Sequence, residues 1–81
     1  SVLRARRFRV RWQSLWKANL GGFDLVYAYL SPVPMAQLWQ KAVHEMHSGT
    51  LLVSFRFAIP GVAPHKVMDA DDHTLFVYQI P

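Results

Sequence analysis

The chain has 81 residues, nine of them Lys or Arg against five Asp or Glu, for a net charge of +4, and no cysteine. Disulfide and thiolate chemistry are therefore excluded, and no apolar run approaches the roughly 18 residues of a membrane span. Apolar residues make up 52% of the chain, more than a small free-standing domain needs. A single domain belonging to a larger body is therefore expected over residues 1–81.

The chain opens on Ser1 without an initiator methionine, which suggests a processed or truncated product. Arg4, Arg6, Arg7, Arg9 and Arg11 crowd the first stretch, "SVLRARRFRVRWQSLW". Phe8, Val10 and Trp12 alternate there with Arg7, Arg9 and Arg11, and a period of two predicts a half-buried strand with its arginines in water. Such a stripe suits nucleic-acid phosphates with Trp12 or Phe8 stacking on bases, but little else in the chain extends it, and it reads first as a solvated sheet edge.

"KANLGG" reads as a turn. "FDLVYAYL" is apolar on both faces, as a central strand of a parallel sheet would be. "SPVP" then stiffens the backbone, and Pro34 suits a first helical turn. Met35, Leu38, Trp39, Ala42, Val43 and Met46 recur at helical spacing as one apolar face, with Gly49 as the stop. "TLLVSFRF" is a second buried strand and "AIPGVAP" a loop. "HKVMDA" and "HTLFVYQI" are two strands joined at Asp71-Asp72, an antiparallel hairpin. Residues 23–57 thus form a strand–helix–strand crossover, expected to be parallel and right-handed.

His44 and His47 lie three apart on the predicted helix, without a third ligand in view, and read as surface histidines. His65 and His73 flank the hairpin and are expected to approach one another. No metal site is predicted. Arg56 interrupts an apolar strand and reads first as a strand-end arginine reaching solvent, with the crevice as the alternative.

A strand ending in a "YLSP" corner, a helix ending "EMHSGT" and a final "TLFVYQIP" resemble the C-terminal half of a class I S-adenosylmethionine-dependent methyltransferase. More narrowly, they resemble small bacterial members of unknown substrate. The resemblance implies an α/β fold, a partial Rossmann-like sheet. "FRVRWQSLW" would be its third strand and turn, "FDLVYAYLSP" its fourth strand, "GTLLVSFRF" its fifth, and the hairpin its closing pair.

It also implies S-adenosylmethionine as the parent's cofactor. Ser31 and Tyr29 would be catalytic. Ser14, Leu15, Trp16 and Tyr27 would be on the cofactor side. Pro32 and Arg56 would face the substrate. The family's Gly-rich turn has no counterpart, since Gly21 and Gly22 precede a strand, and Ser14 stands where an acidic residue is usual. The isolated chain is therefore expected to be inactive and to bind the cofactor negligibly, with the N-terminal half of its domain as the missing partner.

In the family's sheet the fourth strand lies beside the first, and the third lies beyond the second. Without those neighbours, residues 23–30 should form a bare edge, and residues 8–12 should be orphaned. Both favour a homo-oligomer through strand pairing. A basic nucleic-acid-binding module using the arginine strand and a pure self-association module are the competing readings. A cytoplasmic location fits the lack of cysteine.

Overall fold

The computed structural model describes residues 7–10, 17 and 19–81. It contains five strands and one long helix: β1 (Arg7–Val10), β2 (Leu25–Ala28), α1 (Pro32–Glu45), β3 (Leu51–Phe55), β4 (Lys66–Ala70) and β5 (His73–Gln79), with a short 3-10 turn at Leu20–Gly22. The strands form one mixed sheet in the order β1-β2-β3-β5-β4. β1, β2 and β3 run parallel, and β5 joins β3 antiparallel. The α/β fold, the crossover and the hairpin all stand as expected.

The expectation of a bare edge fails. β2 is not an edge: Leu25 to Ala28 pair with Arg7 to Val10 on one side and with Leu51 to Ser54 on the other. The two segments expected to be orphaned satisfy each other's backbone groups. Of the first strand, Arg11 and Trp12 lie outside the described residues. Among the described residues the sheet's edges are β1 and β4. β4 is exposed along its whole length and carries Lys66 and Asp69, charges that discourage edge-to-edge pairing.

The pleat sends alternate side chains of β2 to opposite faces. Val26 and Ala28 are fully buried in a core shared with Leu52, Tyr78 and Ile80 of the sheet and with Met35, Leu38, Ala42 and Met46 of α1. Trp39 packs against this core and meets the Tyr78 ring at 5.6 Å between centroids. Val43 was expected on the same apolar face but is exposed, because it falls on the helix's wet flank. On the sheet's other face Val53 and Val77 are also buried, yet stand outside this core. Leu25, Tyr27, Leu51, Phe55 and Leu75 surround them, each half-buried.

The helix begins at Pro32, whose missing N–H costs nothing at N1, with Pro34 still in the first turn. It ends when Met46 turns extended, three residues before Gly49. Gly49 is therefore not the helix stop. At a φ of 87° it makes the turn into β3, a left-handed conformation that glycine adopts without strain. His65 and His73 do not meet either. His65 precedes the Lys66–Val77 pair, and His73 pairs with Ala70 at the opposite end of the hairpin.

Glu45 ties the C-terminal end of α1 to the 3-10 turn. Its Oε1 accepts the Leu20 N–H at 2.8 Å, and its Oε2 accepts from Lys41 Nζ at 2.6 Å. Burial pushes the carboxyl up, but the Leu20 N–H, the Lys41 ammonium and His44 outweigh it and hold the group below its ordinary 4.5. A lowered carboxyl pKa stabilises the fold above the unfolded value, and that contribution is lost as pH falls through the folded one. Glu45→Gln should therefore cost about 1 kcal/mol at pH 7, modest because the side chain is 30% exposed. Urea melts at stepwise lower pH should show the gap between the two proteins narrowing below the ordinary carboxylate value.

Candidate functional site

In open α/β sheets ligands collect beyond the carboxyl ends of the parallel strands. Here β2 and β3 end at the same rim, and β5, running the other way, begins there. A cavity of about 410 Å³ opens at this rim, lined by Tyr27, Tyr29, Phe55 and His73. That is at the small end of ligand pockets, which run to roughly 300–1,000 Å³. Tyr27 and Phe55 lie across β2 and β3 with their rings stacked, 19° from parallel and 6.0 Å between centroids.

Arg56 does not itself line the cavity but touches two residues that do. Its guanidinium lies over the Tyr29 ring, 5.6 Å from the centroid, and its Nε donates to His73 Nδ1 at 2.9 Å. Arginine can only donate, so in this geometry Nδ1 carries no proton and the ring's N–H is at Nε2. Among the described residues no carboxylate lies within ion-pair distance of Arg56.

The backbone at Arg56 is left-handed, with a φ of 71°, a conformation that costs a residue with a Cβ about 1–2 kcal/mol. The surrounding structure holds it there. The Ser54 hydroxyl, fully buried, donates to the Phe57 carbonyl and closes the turn around Arg56. The Arg56 N–H donates to the Thr74 carbonyl at 2.8 Å. Two residues past Phe57, the Ile59 N–H donates to the buried Tyr78 hydroxyl at 2.8 Å, so the loop is fixed to β5 as well.

The structure thus brings Tyr27, Tyr29 and Arg56 together. Ser31 sits at the N-cap position of α1, exposed, and its hydroxyl makes no capping bond. It is not among the residues lining the cavity, and Pro32 opens the helix behind it. Ser14, Leu15 and Trp16 lie outside the described residues. Phe55, His73 and Ser54 were not anticipated. His73 reaches Arg56 only through the register of β5 on β3, which pairs Phe55 with Leu75. Among the described residues no group of His, Cys, Asp or Glu could hold a metal, and no helix is long and apolar enough to cross a membrane.

The model of the ANTKMT methyltransferase domain matches residues 2–66. The chain belongs to the ANTKMT methyltransferase domain family. Among solved structures, this methyltransferase domain resembles an RNA methyltransferase from Salinibacter ruber determined in complex with S-adenosyl-L-homocysteine. The TM-score is 0.75 and the identity 26%, over 82% of this chain and 43% of that one. The chain therefore spans less than half the length of that solved enzyme. No curated protein matches it.

Proposed function

We propose that this methyltransferase domain supplies the acceptor-substrate side of an S-adenosylmethionine-dependent methyl transfer. The observation that carries the reading is the rim cavity, where Tyr27, Tyr29 and Phe55 meet Arg56 and His73 beyond the carboxyl ends of β2 and β3. The stacked Tyr27–Phe55 pair suits the edge of a cofactor site. Among the described residues no carboxylate and no glycine line the cavity, so these residues fit part of a cofactor cradle rather than a whole one.

When bound, the cofactor supplies an activated methyl group. The chain's own residues position the acceptor. Tyr29 can accept or donate a hydrogen bond through its hydroxyl, the rings exclude water, and Pro32 stiffens the corner on which Ser31 is carried. Orientation of this kind accounts for much of the rate gain open to a group transfer. Other residues of the parent, outside these 81, would complete the cofactor site. A cytoplasmic setting fits the cysteine-free composition. Self-association by strand pairing, if it is used, would involve the described sheet edges β1 and β4.

The test has two arms. Calorimetric titration of the 81-residue chain with S-adenosylmethionine should show negligible heat, and micromolar binding would overturn the assignment of most of the cofactor site to other residues. The whole parent protein should transfer labelled methyl from S-adenosylmethionine to a cell extract. Tyr29→Ala should lower that transfer by about 10²-fold, the scale of a misplaced acceptor. Unchanged transfer would remove the rim cavity from the reaction.

A further inference from the structure

We infer that Arg56 is a positioning residue that acts through His73: it holds the imidazole as a hydrogen-bond donor to the methyl-acceptor molecule and keeps it from serving as a base. This deepens the acceptor-side reading and rests on it.

A histidine in a methyl-transfer site has two uses. It can take the proton that the acceptor loses, or it can hold the acceptor molecule by donating to one of its lone pairs. The partner of the other ring nitrogen decides between them. A carboxylate partner accepts an N–H and leaves the second nitrogen bare, ready for a proton. Arginine does the reverse. Arg56 Nε donates to His73 Nδ1 at 2.9 Å, and a guanidinium has no lone pair to offer, so the ring's one proton sits at Nε2. His73 lines the cavity with Tyr27, Tyr29 and Phe55. Any hydrogen bond it makes to a molecule there is given from Nε2, not received. No proton moves, since His73 neither takes one nor gives one up.

Among the described residues no carboxylate draws either partner away. None lies within ion-pair distance of Arg56. Asp69, one pair along the hairpin from His73, accepts instead from the Thr74 hydroxyl at 3.2 Å. Arg56 stays outside the cavity and works on its lining, by the bond to His73 and by its guanidinium over the Tyr29 ring.

The backbone supplies the independent observation. Phe55 pairs with Leu75, and the Arg56 N–H donates to the Thr74 carbonyl at 2.8 Å, so Arg56 and His73 project from segments already tied together. Arg56 holds a left-handed φ of 71°, which glycine would adopt without strain. The Ser54 hydroxyl closes the turn around it onto the Phe57 carbonyl. Strain retained in this way marks a side chain held in place for a task, and the bond to His73 is the task on view.

The experiment uses the whole parent protein and follows labelled methyl from S-adenosylmethionine into a cell extract. Arg56→Gly relieves the backbone, so its melting temperature should equal or exceed that of the unaltered protein. Its transfer rate should nevertheless fall about tenfold, the scale of one lost hydrogen bond. His73→Ala should fall by as much. The double variant should fall no more than about twofold further, because Arg56 acts through His73. His73→Gln should recover to within about threefold of the unaltered rate, since its amide oxygen can accept from Arg56 while its NH₂ donates. Nitrogen NMR of the histidine-labelled parent in mildly alkaline buffer should show His73 protonated at Nε2 alone. In Arg56→Gly the two ring nitrogens should average between tautomers.

A loss of about 10²-fold or more in His73→Gln, the scale of a missing general base, would overturn the inference. So would fully additive losses in the double variant, or a proton on Nδ1 of His73 in the unaltered protein. Full transfer by Arg56→Gly and His73→Ala, beside the loss expected of Tyr29→Ala, would sink this inference alone and leave the acceptor-side reading standing. If Tyr29→Ala also transfers at the full rate, both fall together.

Discussion

Replacing Tyr78 with alanine should destabilise the domain by about 3–5 kcal/mol, the range for emptying a buried aromatic site. Domains of this length hold only about 4–12 kcal/mol in total, at roughly 0.05–0.15 per residue. The variant should therefore be largely unfolded, or very nearly so, at room temperature. Tyr78 is 1% exposed and packs its ring on Trp39 in the middle of the core. Tyr78→Phe separates the two halves of this contribution. The ring stays, but the buried Ile59 N–H loses its acceptor, which costs about 1–3 kcal/mol. Urea unfolding followed by tryptophan fluorescence should rank wild type, Phe and Ala in that order. A phenylalanine variant as stable as wild type would show that the Ile59 N–H finds water instead.

Leu38→Ala should cost about 2–5 kcal/mol, because the side chain is fully buried between α1 and the sheet and the gap cannot collapse onto backbone. Val43→Ala on the same helix should stay within about 0.5 kcal/mol, since Val43 is 36% exposed. The contrast tests which face of the helix is turned to the core. Alanine raises helix propensity at both positions, so a large difference between them can only come from packing. Equal effects at the two sites would mean that the helix is rotated from the orientation described.

Much of this architecture is legible in the residues. The alternation in "FDLVYAYL" and "TLLVSFRF", joined by the apolar stripe of Met35, Leu38, Trp39, Ala42 and Met46, is enough to specify a crossover, and the crossover fixes a parallel pair. What composition and period cannot carry is adjacency between segments far apart in the chain. β1 lies beside β2 because each satisfies the other's open backbone groups, and nothing local to either segment states that pairing. The same limit applies to the site. Tyr27, Tyr29 and Arg56 stand at strand ends and can be suspected from position alone. His73 enters only through the register of an antiparallel pair, and Ser54 only through a hydroxyl that closes the turn two residues on from its own strand position. Gly49 misleads for a related reason: a glycine after a helix suggests a cap, but here the turn belongs to the strand that follows.

On the acceptor-side reading proposed above, the direction of β5 also leaves a place where substrate preference could be retuned without disturbing the core. Because β5 runs against β3, the tip of the hairpin, not its root, lies at the rim where β3 ends. Asp71 and Asp72 form that tip, with Asp71 in the left-handed conformation. Natural variation or engineering can lengthen or exchange this tip while the buried residues Val77, Tyr78 and Ile80 stay in place. A change that slips β5 by one residue would instead turn every side chain of the strand to the opposite face, His73 included. An insertion at Asp71–Asp72 leaves the register of β5 on β3 in place, whatever its length, and with it the position of His73.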